Sequence, residues 1–197
     1  MYSPFFIINL TKKLEKNLEC TLRKILLNSW EGVYLKVNHE DMDQMMRDIA
    51  SMGGELFVMD DGWFGDKYPH DLDNSSLGDW VVNPRKLPRG INGLLEDAKK
   101  NGVKFGIWIE PEMSNTVSEL YEKHPEWVVK APERNPVLGR GDTQVVLDLS
   151  NPEVQDFVFG VVDTLMTNGL EIPYEHVVKN SERTSYSSRV LYLEEVE

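Results

Sequence analysis

Two adjacent carboxylates, Asp60 and Asp61, stand directly after a five-residue run at 55–59, apolar from Leu56 on, and directly before Gly62, Trp63 and Phe64. The run has the length and content of a buried strand. In a parallel α/β sheet or barrel, functional groups collect where strands end and the next loops begin. A carboxylate pair at such a point is placed to grip a polyhydroxylated or cationic ligand. The competing reading is structural: Asp followed by Gly is ordinary turn chemistry, and the pair would then only cap a helix or shape a surface turn.

Residues of the same kind recur after other apolar runs. Trp30 and Glu31 follow residues 25–27, Trp108, Glu110 and Glu112 close the run at 103–109, and Asp148 lies in the run at 144–149 with Arg140 just before it. Sugars need this mixture: their hydroxyls require hydrogen-bond acceptors, and their C–H faces require flat apolar platforms. Arg140 would add a forked donor. Carboxylate oxygens also suit Mg2+ or Ca2+, although tryptophan contributes nothing to a hard-cation site. Three single residues have plainer readings: Trp127 as core, Asp148 as a local cap or pairing partner, and Trp80 as the cover of a loop. His39, His70, His124 and His176 are scattered without ligand spacing, which argues against zinc. No phosphate-binding loop and no dinucleotide fingerprint follows a strand, so no nucleotide cofactor is indicated.

These groups need a scaffold, and the hydrophobic spacing describes one. Residues 1–24 are an unassigned N-terminal segment with Leu14, Leu18 and Leu22 at the interval of an amphipathic helix. Asn38 or Asp41 can cap a helix that carries Met42, Met45, Met46, Ile49 and Ala50 on one face and stops at Gly53 and Gly54. A long polar excursion follows the aspartate pair and runs to Asp79 and Trp80; loops of that length are usually functional or disordered. Further helices are expected over 91–100, 118–123 and 152–166, the last with Pro152 in its first turn and Ser150 as its cap. With strands at 25–27, 55–59, 103–109 and 144–149, strand and helix alternate four times. Alternation predicts a parallel sheet with its strands side by side in that order. Functional residues after several strands favour a partial (β/α)8 barrel, about its first four βα units, over an open doubly wound sheet.

Composition narrows the classes of partner. A hydrophobic fraction of 41% over 197 residues is ample for a packed core. The formal net charge of -12 disfavours nucleic acid and anionic membranes, which call for clustered Lys and Arg. Cys20 is the single cysteine, so no internal disulfide forms. The opening residues lack the basic-then-apolar order of a secretory signal, and no apolar run reaches transmembrane length. The expected location is the cytoplasm.

Seven stretches then occur in one order: LLNSWEGVY (26–34), ELFVMDDGWFG (55–65), SSLGDW (75–80), KLPRGINGL (86–94), KFGIWIEPEM (104–113), HPEWV (124–128) and LGRGDTQVVLDLSNPEV (138–154). Together they closely resemble the catalytic domain of bacterial α-galactosidases of glycoside hydrolase family 36. The resemblance implies a (β/α)8 barrel that hydrolyses α-1,6-linked galactosides such as melibiose and raffinose with retention, without a metal or organic cofactor. It also implies that Asp60 and Asp61 hold galactose hydroxyls, that Trp30 and Trp108 wall the pocket, and that Arg140 contacts substrate.

The chain departs from the family where the chemistry should occur. Family members continue after the fourth helix with a strand of the type I-x-Y-I-K-W-D, whose Asp is the nucleophile and whose Lys lines the pocket. Here the text is EIPYEHVVKN, with His176 at the lysine position and Val178 at the nucleophile position. No counterpart of the acid/base Asp follows. Residues 25–167 therefore read as a partial catalytic domain and residues 168–197 as a divergent tail. Retaining glycosidases need two carboxyl groups flanking the scissile bond, and Glu110 and Glu112 are the only tempting substitutes. The expected chain binds α-galactosides without hydrolysing them by itself. A non-catalytic sugar-binding half-barrel and a metal-assisted barrel enzyme are the alternatives. Half a barrel also leaves sheet edges open, so a homo-oligomer is expected.

Overall fold

A computed structural model describes residues 24–167, 170, 172–177 and 189–191, the last two stretches as backbone strands. The expectations for residues 1–23, for Val178 and for most of the tail lie outside the described residues. Four parallel strands form the frame: β1 (Leu26–Asn28), β2 (Leu56–Met59), β3 (Lys104–Ile109) and β6 (Ile172–Val177). They pair in the order β1-β2-β3-β6, with β7 (Arg189–Leu191) antiparallel on the far side of β6. The registers Leu27 with Phe57, Phe57 with Phe105, and Ile107 with Pro173 fix the alignment of neighbouring strands. All four residues of β2 are buried, as expected for a strand covered on both faces.

Helices return the chain between parallel strands, which a tight turn cannot do. After the short α1 (Trp30–Val33), α2 (His39–Ser51) begins where the Asn38 side chain accepts a hydrogen bond from the Asp41 N–H. It buries Met42, Met46 and Ile49. The methionines, at helical spacing, thus belong to the core. α3 (Gly90–Asn101) buries Ile91, Leu94 and Ala98 and ends at Gly102, whose left-handed backbone suits glycine. Both helices share one core with Phe57, Met59, Phe105, Ile107 and Ile109 of the sheet. No helix among the described residues is long and apolar enough to cross a membrane.

The expected fourth strand at 144–149 is a correction. Only β5 (Gln144–Val146) forms there, and it pairs antiparallel with β4 (Met113–Asn115) in a separate two-stranded sheet. The place beside β3 belongs to β6. The reason is crossover length. Between β3 and residue 144 the one α-helix is α4 (Glu119–Lys123), five residues long, or about 7–8 Å at 1.5 Å per residue, too short to carry the chain back along a six-residue strand. α5 (Pro152–Thr167), sixteen residues long, does make the return. Val145 and Leu147 instead pack with Leu120, Trp127, Val128, Val154 and Val158 in a second cluster, so residues 110–149 form a subdomain above the strand ends. Ser150 does not cap α5: its N–H and hydroxyl both donate to Asp148 Oδ1, and Asn151 Oδ1 receives the Glu153 N–H at the helix start. The plainer readings of Trp127 as core and of Asp148 as pairing locally match these contacts.

Candidate active site

Asp60 and Asp61 follow Met59, the last residue of β2, so the sheet itself delivers them to its carboxyl end. Neighbouring elements then set their orientation. Asn28, the end of β1, donates from Nδ2 to Asp60 Oδ2 at 2.6 Å, and the Asp60 N–H donates to Ser29 Oγ at 2.9 Å. The Asp61 N–H reaches Asp60 Oδ1 at 2.8 Å, and the Gly62 N–H reaches Asp61 Oδ1 at 2.7 Å. Gly62 sits at φ 103°, and an added Cβ would lie 2.8 Å from the Leu35 backbone. Only glycine fits that close approach. Lys86 fixes the loops around it, since its Nζ donates to the carbonyls of Leu35, Gly62 and His70 at 2.9, 2.7 and 2.9 Å and pairs with Asp71 at 2.8 Å.

The aromatic residues divide into two groups. Trp63 and Phe64 are fully buried; Trp63 donates through Nε1 to the Trp108 carbonyl, and Phe64 lies between Trp80, Trp108 and the His70 ring. Trp108 is itself mostly buried, edge-on to Trp80 at 6.0 Å. Trp80 therefore covers more than a loop: it joins the aromatic stack under the strand ends. Trp30 is half-buried, with Tyr34 edge-on at 5.3 Å and the Arg140 guanidinium 5.9 Å from its ring centre.

Arg140 comes from the 110–149 subdomain and pairs with Asp73 at 2.7 Å. Asp73 belongs in turn to the group Asp61, His70 and Asp73, whose ligand-type atoms all lie within 4.8 Å of one another. Each of the three already has a partner, because His70 Nε2 sits 3.1 Å from Asp61 Oδ1 and Asp73 holds Arg140. The donor atoms of a metal-assisted site thus face one another, with Arg140 beside Asp73. Glu110, buried at the end of β3, accepts a hydrogen bond from Gln144 Nε2 at 3.0 Å. Burial, reinforced by the negative charges of Glu112 and Asp61, pushes its carboxyl up to about 8, against the opposing effect of Arg140 and Gln144. At neutral pH it is mainly a neutral acid.

The five residues named from the sequence, Trp30, Asp60, Asp61, Trp108 and Arg140, thus occupy one end of the sheet and are linked through Asp73, His70 and Phe64. Sequence reasoning passed over His70, Asp73 and Gln144. His70 looked like one of four scattered histidines. Its significance rests on a fold-back of nine residues to Asp61 that no periodicity announces.

The family model for melibiase matches residues 5–196. A probable α-galactosidase C of Aspergillus flavus is 44% identical over 153 residues, covering 74% of this chain and 20% of that protein. The α-galactosidase AgaA of Geobacillus stearothermophilus is 41% identical over 169 residues, covering 86% and 22%. A crystal structure of a variant of that enzyme, a family 36 α-galactosidase in complex with raffinose, superposes with a TM-score of 0.69 at 42% identity, covering 75% of this chain and 20% of that one. The chain spans about a fifth of the length of the curated relatives it matches. With partial (β/α)8 architecture, the aspartate pair at the end of β2 and a match along nearly its whole length, the chain belongs to the melibiase family.

Proposed function

We propose that this chain supplies the galactose-binding part of an α-galactosidase site and does not by itself hydrolyse galactosides. The carrying observation is the Asp60 and Asp61 pair, held at the carboxyl end of the parallel sheet by Asn28, Ser29 and the Gly62 backbone, with the Trp30 ring beside Arg140. Ionised carboxylates accept from vicinal hydroxyls, and indole faces suit the C–H face of a sugar. Support comes from the relatives that carry the α-galactosidase name and from the raffinose complex of one of them. The covalent step needs a carboxylate nucleophile and a proton carrier, and Val178 stands where the family places the nucleophile.

Titration calorimetry with galactose tests binding, and release of nitrophenol from a nitrophenyl α-galactoside tests turnover. Galactose should bind, Asp61→Asn should weaken binding about tenfold or more, the worth of a charge-assisted hydrogen bond, and no nitrophenol should appear. Turnover lost on Glu110→Gln or Glu112→Gln would overturn the non-hydrolytic reading and make those glutamates the catalysts. Absence of galactose binding would remove the sugar-site reading altogether.

A further inference from the structure

Tyr34 closes the short α1 at φ 48° and ψ -131°, a backbone conformation that bulky side chains avoid and glycine adopts freely. The chain has to turn sharply here. The Tyr34 N–H still donates to the Trp30 carbonyl at 2.8 Å, yet the next residue, Leu35, already runs against Gly62, so closely that a Cβ on Gly62 would lie 2.8 Å from the Leu35 Cα and carbonyl oxygen. The Leu35 carbonyl is then held by Lys86 Nζ at 2.9 Å, and the Val33 carbonyl accepts from the Lys36 N–H at 3.0 Å. Strain of this kind persists only where surrounding contacts over-determine it, and it collects at functional sites. These contacts supply the restraint, but none of them uses the tyrosine side chain. For the turn alone, glycine would serve better.

The reason for a tyrosine lies in what its ring touches. Half exposed to solvent, the ring stands edge-on to Trp30 at 5.3 Å and 78°, four residues along and on the same side of the turn. Its hydroxyl donates to Glu31 at 3.3 Å. The Trp30 backbone is fixed separately, because Asn28 Oδ1 accepts the Trp30 N–H at 2.7 Å while Asn28 Nδ2 donates to Asp60. One asparagine therefore ties the base of the indole to the aspartate pair, and the Arg140 guanidinium lies 5.9 Å from the ring centre. We propose that Tyr34 is a positioning residue for Trp30: the strained backbone holds its ring against the indole, which is thereby presented in one orientation to a sugar at the aspartate pair. The consequence for sugar binding rests on the function proposed above; the restraint on the indole does not. A glycine in this turn would relieve the backbone and leave the indole without that support.

Three substitutions in the full chain separate strain from positioning. Tyr34→Phe keeps the ring and the strain, Tyr34→Ala keeps the strain without the ring, and Tyr34→Gly removes both. In urea denaturation Tyr34→Gly should unfold at a higher midpoint than Tyr34→Ala, although glycine at an unstrained position is the less stable of the two. In nitrogen-15 NMR the Trp30 indole N–H signal, identified by its loss in Trp30→Phe, should move in the alanine and glycine variants and keep its place in the phenylalanine variant. Galactose should bind the two ringless variants about three- to tenfold more weakly, the effect of one aromatic contact, and Tyr34→Phe should recover most of that loss. A midpoint for Tyr34→Gly no higher than for Tyr34→Ala would overturn the inference by showing no strain. A Trp30 signal that stays in place without the ring, or a chain that binds galactose equally well without it, would overturn it by showing no positioning. Should the alanine variant fail to fold where the glycine variant folds, the strain is upheld and the glycine variant carries the other two readouts. A Trp30 signal that moves in a chain that binds no galactose would uphold the restraint and reject the sugar site.

Discussion

Glu110 shows what burial does to a single acid beside like charges. Its folded-state carboxyl sits near 8 against an ordinary 4.5. Between those values the native state holds a proton that the unfolded chain releases, so the contribution of Glu110 to stability is fully present below about pH 4.5 and is lost as pH rises to about 8. Denaturant titrations at intervals from about pH 5 to pH 9 should show Glu110→Gln gaining on the unsubstituted chain with rising pH, by an order of a few kcal/mol across the window. A pH-independent difference between the two would place the carboxyl in water. At this scale the sequence was informative where residue type alone carries meaning. The grouping of Asp60, Asp61, Trp108 and Arg140 at one end of the sheet was legible because carboxylates, an indole and a guanidinium recur where apolar runs end. His70 and Gln144 were not, since their partners Asp61 and Glu110 are set by loop geometry.

At the scale of elements, α4 shows how a loop aspartate can found a helix far away in sequence. Both oxygens of the buried Asp79 accept from its first turn, the Glu119 N–H at 2.8 Å and the Leu120 N–H at 2.9 Å, while Ser118 Oγ accepts from the Tyr121 N–H. Asp79→Ala leaves two amides without their acceptor, and should cost about 1–3 kcal/mol by urea denaturation, with Asp79→Asn losing less. A loss near zero would mean that α4 is capped well enough by Ser118 alone. Helices α2 to α5 were legible to within a residue or so from spacing, glycine stops and prolines, whereas the short α1 and the cap of α5, Asn151 in place of Ser150, were not. The strand expected at 144–149 misled for a physical reason: an apolar run reports burial, not which sheet buries it. Val145 and Leu147 are as buried as any barrel strand, but against Trp127 and α5.

At the scale of the whole molecule, the sheet order leaves β1 with β2 as its one neighbour among the described residues. Among the described residues that outer edge of β1, next to the exposed Ile25, offers its backbone groups to another chain. Sizing chromatography coupled to light scattering should therefore show the mass rising with concentration, and Ile25→Lys should reduce it; a strict monomer at all concentrations would count against an open edge. The same sheet also has a history in time. Lys86 is the ammonium on which the Leu35, Gly62 and His70 loops close, and it lies 51, 24 and 16 residues after them. During synthesis at about 5–20 residues per second, the aspartate loop leaves the ribosome roughly one to five seconds before the residue that fastens it. Through that interval the nascent chain carries β1, β2 and the paired carboxylates without their clasp.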